Sequence, residues 1–317
     1  MQRRDFLGGV AATAMMMTAS PALAEWKPRR PINAVVPYGA GGGTDTIARA
    51  LTGAVGDALP VPIVIVNKPG ASGITGATEV SRANADGGTI LITSAGSLVL
   101  NSIMKDIDID PFEDFVPIAQ VGDLTTSVMV PANSPFQTMD DLIAAAKENP
   151  GGLRWAHTGR GSFHHVAGQG FMNAAGITGV DVPFKGGSNT RAAVIGGQVD
   201  FGMIGIQQAT GFKDELRALA LVNSERDAFA TDVPTFAELG IDAPVISSPI
   251  VVFAPAGTPD DVIEALQAAV QTAAASDAFT EQMENRGNKP IFLSGSEVSA
   301  KLMKMRDDAQ AIVDSLS

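Results

Sequence analysis

Cysteine is absent from the 317 residues, which excludes disulfide staples, thiol nucleophiles and thiolate metal ligands. Histidine occurs three times, at His157, His164 and His165, and neither an H-E-x-x-H nor a G-x-S-x-G pattern is present. Two common hydrolytic motifs are therefore missing. Basic side chains are in the minority, 22 Lys and Arg against 34 Asp and Glu, for a formal net charge of −12. No basic stripe interrupts that balance, which argues against a nucleic-acid partner. An anion would not be drawn by the overall field and would need a local site of backbone N–H groups, helix N-termini or a few cations. Beyond residue 24 no apolar run reaches the ~18 residues of a membrane span. Aromatics are only 5% of the chain while glycine is abundant at 34 residues, a composition suited to closely packed α/β layers.

The first 24 residues are unlike the rest. Arg3 and Arg4 precede an apolar stretch from Phe6 to Ala19, and Ala22-Leu23-Ala24 supplies small residues for cleavage. This is an export signal with the mature chain starting at Glu25. Arg3-Arg4-Asp5-Phe6-Leu7 is similar to a twin-arginine signal, although Gln2 and Gly8 depart from it, so the general secretory route stays open.

What remains exceeds the size of a usual single core and suggests two domains. Strand-like runs at 32–37, 63–67, 89–93, 116–121, 127–131, 153–157, 180–183, 200–204, 218–222 and 250–254 alternate with helical patterns. The helices are expected at 44–58, 73–83, 139–149, 162–175, 189–196, 259–275 and 297–316. Alternation of this kind predicts an α/β fold with mainly parallel sheets flanked by helices. Thr258-Pro259-Asp260-Asp261 reads as cap, first-turn proline and acids, and Ser294-x-x-Glu297 as a capping box. Two extended runs, 125–136 and 247–259, end in proline-rich turns. If both cross between domains, domain 1 is 25–124 plus 250–317 and domain 2 is 125–249, joined by a double hinge.

The stretch VVPYGAGGGTDTIARAL, 35–51, places a glycine run between a strand and a helix. Its sixth position from Gly39 is Thr44 rather than Gly, and no Lys follows Gly43, so both nucleotide fingerprints fail where they would touch phosphate. The remaining geometry suits a carboxylate on exposed N–H groups. Asp45 would repel a carboxylate directly, so it is expected to orient the loop or a bridging water, or to take an ammonium. HTGRGSFHHVAGQGF, 157–171, repeats the design, with the Thr158 and Ser162 hydroxyls facing a ligand, and VPFKGGSNT, 182–190, adds Lys185 before another helix start. Such loops at the carboxyl ends of strands suit one cleft. The histidines invite a metal reading, but Gly159 and Gly161 interrupt them and neighbouring side chains diverge, so packing or a single ligand hydrogen bond is favoured. A hydrolase using Ser162 and His165 remains a rival reading, without a legible triad.

VPYGAGGGTDTIAR, NKPGASGITGATEVSRANADGGTILITSAGS, PFEDFVPIAQVG, VPFKGGSNTRAAVIGGQVD, VPTFAELG and FAPAGTP follow in this order. Together they resemble the solute-binding receptors of tripartite tricarboxylate transporters, the Bug family. The resemblance runs from Pro31 to the C-terminus. It implies a two-lobed periplasmic binding protein of type II, a Venus flytrap that captures a di- or tricarboxylate for membrane permease subunits. It also implies no catalysis, metal or cofactor, and a monomer can do this work. The resemblance places ligand contacts at Tyr38, Gly39, Ala40, Gly41, Gly42, Gly43, Thr44 and Asp45 in the first loop, and at Ser94, Gly96 and Ser97 nearby. The opposite lobe would contribute His157, Thr158, Gly161, Ser162 and His165, then Phe184, Lys185, Gly186 and Gly187. Several positions depart from the family pattern. Ser247-Ser248-Pro249 replaces a frequent Trp, His157 a small hydroxyl residue and Tyr38 a frequent Phe, while Arg160 adds a charge. A more polar far end of the pocket is therefore expected. A receptor feeding a signalling system would use the same closed lobes.

Overall fold

Several helices begin where a Ser or Thr side chain accepts one of their first N–H groups. The computed structural model describes residues 26–246 and 248–316, so the expected export signal and Glu25 lie outside the described residues. The first stretch runs β1 (Ile32–Val36), α1 (Gly43–Ala54), β2 (Ile63–Asn67), α2 (Ile74–Ser81), β3 (Thr89–Ser94), α3 (Ala95–Met104) and β4 (Phe115–Asp123). The middle holds β5 (Thr126–Pro131), α4 (Met139–Glu148), β6 (Arg154–His157), α5 (Phe163–Ala175), β7 (Val180–Pro183) and α6 (Gly187–Ile195). It closes with β8 (Phe201–Gly205) and β9 (Leu216–Val222). The chain then returns through β10 (Pro249–Pro255), α7 (Asp260–Ala274), α8 (Asp277–Glu284), β11 (Leu293–Ser294) and α9 (Gly295–Leu316).

Local chemistry explains several boundaries. Thr138 and Asp141 form a reciprocal capping box on α4, and Ser294 and Glu297 bond each other's backbone N–H at the start of α9. At α7 the expected cap is displaced. Pro259 occupies the cap position, because the Thr258 hydroxyl donates backwards to the Pro255 carbonyl at 2.7 Å. The helix α3 has no counterpart in the sequence reading. Its run AGSLVLNSIM is buried from Ala95 through Asn101, and a helix apolar almost all round shows no 3.6-residue stripe.

Two sheets form, ordered β11-β4-β10-β3-β1-β2 and β7-β6-β8-β5-β9. The helix-flanked pair of α/β sheets is as expected, but the sheets are mixed. β1 is parallel to β2 and β3, and β6 to β7 and β8. β10 runs against β3 and β4, and β5 against β8 and β9. The reason is the crossing itself. A strand arriving from the other sheet enters on the side where its parallel neighbours end, so β5 and β10 must oppose them. All seven residues of β10 are buried, and Val251, Val252 and Phe253 pack at 0–1% exposure. Its near-continuous apolar run is that of a strand covered on both faces. Trp155, Phe171 and Phe201 fill the second sheet's interior. Each such large side chain contributes on the order of 2–3 kcal/mol by leaving water. The last helix, α9, packs on α3 and also touches α5, so it leans on helices beside both sheets.

Candidate functional site

Both sheets point strand carboxyl ends at one cleft, and helices begin immediately after those ends. A narrow cavity lies there, lined by Tyr38, Gly42, Gly43 and Thr44 at the start of α1, and by Ser94 and Ser97 at the start of α3. Thr158, Phe163 and His164 belong to the start of α5, Gly186 and Gly187 to the start of α6, and Leu124, Gly205, Gln207 and Gln208 complete the wall. Four helix N-termini thus converge, each carrying a partial positive charge. No Lys or Arg is among those lining residues.

The four ends are not equivalent. The Ser94 hydroxyl accepts from the Ser97 N–H and the Ser162 hydroxyl from the His165 N–H, both at 3.2 Å, which caps α3 and α5 internally. At α1 and α6 the cap positions are Gly42 and Gly186, with no side-chain hydrogen bond. Their first-turn N–H groups are therefore uncovered by side chains, and the two ends abut. A Cβ on Gly42 would lie 3.5 Å from the Gly187 nitrogen, and one on Gly186, whose φ is +113°, would lie 3.2 Å from the Gly39 nitrogen. At Gly186, where the contact is tight and the φ left-handed, a larger residue would strain this approach.

Hydrogen bonds cross the cleft around this point. The Gly39 N–H donates to the Lys185 carbonyl at 3.1 Å, and the Ser188 hydroxyl to the Ala40 carbonyl at 2.8 Å. The Ser72 hydroxyl and Lys105 Nζ both donate to the Arg160 carbonyl, at 2.6 and 2.7 Å. The Phe163 N–H donates to Ser97 Oγ at 3.3 Å. The two halves are closed on each other.

Asp45 lies behind the first loop at 1% exposure. Its carboxylate accepts the Gly41 N–H at 2.8 Å, Arg49 Nε at 2.9 Å and Nη2 at 3.0 Å, and Asn67 Nδ2 at 2.8 Å. Asn67 also donates to the Tyr38 carbonyl. Burial by itself raises the Asp45 pKa, but the bonds from Arg49, Gly41 and Asn67 outweigh it and leave the carboxyl below its ordinary value. Asp45 orients the loop. Arg49 and Asn67 escaped the sequence reading, although an Arg four residues after an Asp on a helix is a recognisable pair.

The opposite loop is braced differently. His157 is fully buried. Its Nε2 donates toward Asp181 at 3.3 Å and its Nδ1 accepts the Gly159 N–H at 3.2 Å. Arg160 grips Asp181 at 2.7 and 3.1 Å, and this guanidinium holds the carboxyl down at about 2. His165 stacks on Trp155, ring centroids 5.8 Å apart, and burial depresses its pKa to about 4. His157, His165 and Asp181 bring three donor atoms within 4.8 Å of one another, which invites a metal. A ligating imidazole normally donates from its other nitrogen, yet His165 Nδ1 accepts the Gly161 N–H at 3.3 Å, as His157 Nδ1 does that of Gly159. The hydrogen bonding suits neutral rings protonated on Nε2, not metal ligands.

The remaining sequence candidates divide accordingly. Gly39, Ala40, Gly41, Gly161 and Ser162 shape the loops through the bonds just described. Gly96 is buried inside α3. His157 and His165 face away from the inner cavity. Phe184 and Lys185 line an outer cavity with Gly70, Ser72, Lys105 and Arg160, and it shares Tyr38 and Thr158 with the inner one. Burial lowers the Lys105 pKa. Gln207 and Gln208 were missed, although they follow the carboxyl end of a strand that the sequence showed. His164 was missed in favour of its neighbour. A larger cavity in the second half shares only Gln207 with the inner one. The Ser162 hydroxyl accepts the His165 backbone N–H as a helix cap, and the His165 Nδ1 is taken up by the Gly161 N–H. No helix among the described residues is long and apolar enough to cross a membrane.

Known proteins share this architecture. BugT of Bordetella pertussis is 32% identical over 278 residues, 86% of this chain and 85% of that protein. The structure of MatC from Rhodopseudomonas palustris, with bound malate, superposes with a TM-score of 0.84 at 26% identity, covering 90% of this chain and 99% of the other. R. palustris Rpa4515 with adipate gives a TM-score of 0.86 at 26% identity, over 91% and 98%. The family model for the tripartite tricarboxylate transporter family receptor matches residues 47–315. The chain belongs to that family, one of periplasmic solute-binding receptors and not of enzymes.

Proposed function

We propose that this chain captures a small di- or tricarboxylate between its two halves and presents it, unchanged, to membrane permease subunits. The carrying observation is the meeting of two glycine-capped helix N-termini, α1 and α6, from opposite sides of the cleft. One carboxylate of the ligand sits on the uncovered N–H groups of Gly43 and Thr44 and of Gly187 and Ser188. Each helix end contributes about 0.3–1 kcal/mol, up to ~2 kcal/mol where partly buried, and each bond to a charged group ~1.5–3 kcal/mol. An acidic protein can thus hold an anion without a cation in the inner wall. Lys105, Arg160 and Lys185 at the outer cavity give the approach a local positive rim.

Closure follows from the crossings between Asp123 and Thr126 and ahead of Pro249, which act as the double hinge between domain 1 (25–124 and 250–317) and domain 2 (125–249). The protein works as an exported monomer in the periplasm. The malate and adipate held by the two relatives are consistent with ligands of this class. Calorimetry and thermal shift with C4 to C6 dicarboxylates, citrate, amino-dicarboxylates and aromatic acids test the reading. At a hundredfold excess over Kd a true ligand stabilises the fold by about 2.7 kcal/mol. No binding by any of these acids overturns the proposal, and uptake measured after deletion of the protein tests the transport role.

A further inference from the structure

Among the described residues, four buried side-chain atoms lack a hydrogen-bond partner: Asn101 Oδ1, Thr126 Oγ1, Trp155 Nε1 and His164 Nε2. Only His164 belongs to a residue lining the inner cavity. The neighbouring hydroxyls are already engaged. Ser94 Oγ bonds Ser248 Oγ at 2.6 Å as well as the Ser97 N–H, and Ser97 Oγ accepts the Phe163 N–H. The His164 ring is 4% exposed, packed against Phe163 with centroids 3.8 Å apart. Its Nδ1 lies 2.9 Å from Thr158 Oγ1. One nitrogen is satisfied and the ring is fixed, while the other nitrogen is left for something that the protein itself does not provide.

We propose that His164 determines specificity by donating its Nε2–H to a second oxygen of the bound acid, so that the site selects ligands with a further oxygen acceptor over plain monocarboxylic acids. This rests on the reading of the inner cavity as a carboxylate site. We assign the Thr158 hydroxyl as the donor to Nδ1, which places the single ring proton on Nε2, where an oxygen of the ligand can accept it. Burial, with His157 nearby, depresses the His164 pKa to about 3, so the ring is a neutral donor at the pH of its surroundings. A neutral N–H in a dry wall discriminates by what it leaves unpaired. A ligand with an acceptor there satisfies the donor, and one ending in a methyl group buries it without a partner.

The test uses the full mature protein, with butyrate, succinate and malate as probes of equal chain length. Wild type should bind succinate or malate at least thirtyfold more tightly than butyrate. His164→Phe keeps a ring without the N–H and should lose thirtyfold or more for the diacids, with butyrate changed less than threefold. His164→Gln, which returns an N–H donor, should recover part of the preference. In wild type labelled with ¹⁵N-histidine, the ligand-bound His164 should show a protonated Nε2 and an unprotonated Nδ1, a readout that does not depend on any variant folding. The opposite tautomer, or equal losses for mono- and diacids, overturns the role of His164 while leaving the carboxylate reading intact. If wild type binds none of the three acids nor the wider panel, the carboxylate reading falls and this assignment falls with it.

Discussion

Two glycine loops on opposite sides of the cleft, 39–43 and 159–161, are each braced by a carboxylate, and the braces differ in kind. Asp45 is buried and gathers a backbone N–H, a guanidinium and an amide. Asp181 is 24% exposed and gathers Arg160 and a buried imidazole. The first loop is held by a group that is charged across the physiological range. The second includes rings that must stay neutral, and every histidine of the sequence lies in that half. One side of the clamp should therefore be indifferent to mild acid and the other sensitive to it.

Acid should break the symmetry most strongly. His164 and His165 have folded pKa values of about 3 and 4, below their ordinary 6.5. The unfolded chain therefore takes up protons first as pH falls. Their contribution is complete above pH 6.5 and drains between pH 6.5 and about 3. From pH 7 to 4.5 the second half should lose on the order of 4 kcal/mol. Hydrogen exchange is expected to show α5 and β6 losing protection before α1 and β1, and the reverse order would refute the contrast.

Removing each brace gives a smaller effect. Asp45→Asn, which leaves Arg49 without its anion, should lower the unfolding free energy by about 2 kcal/mol, discounted because Arg49 is half exposed. Asp181→Asn should lower it by about 1 kcal/mol. Both carboxyls are depressed, so these contributions are present above the ordinary 3.8 and fade below it, toward about 2 for Asp181. Urea titrations at pH 7 check the ranking, and equal losses would show that burial does not separate the braces. Smallest of all, Ser188→Ala removes one bond between the halves. It should weaken carboxylate binding about threefold while leaving the unliganded melting temperature unchanged, as measured by calorimetry and thermal shift.

Much of the scaffold was visible as pattern. Val35-Val36 before a glycine run, and Ser294 three residues before Glu297, announce their local structures because strand ends and capping boxes are short-range. The helix α3 was hidden because burial on all sides erases the polar face that marks a helix. The mixed pairing of β5 and β10 was hidden because strand direction is fixed by which sheet a strand enters, not by its own residues. The site shows the same division. Gly42 and Gly186 could be picked out, and Arg49 is a local partner of Asp45, whereas Asn67, Gln207 and Gln208 reach the loops only through contacts distant in sequence.

The sequence by itself determined the glycine loops, the helix starts and the absence of thiol chemistry, since these depend on residue type and near neighbours. Tertiary structure alone decided which helix ends are uncovered, that α1 and α6 face each other, and which of two adjacent histidines lines the cavity. Consecutive residues on a helix are about 100° apart, so His165 stacks on Trp155 and His164 lies against the cleft. Only the packing of α5 on its sheet sets that rotation.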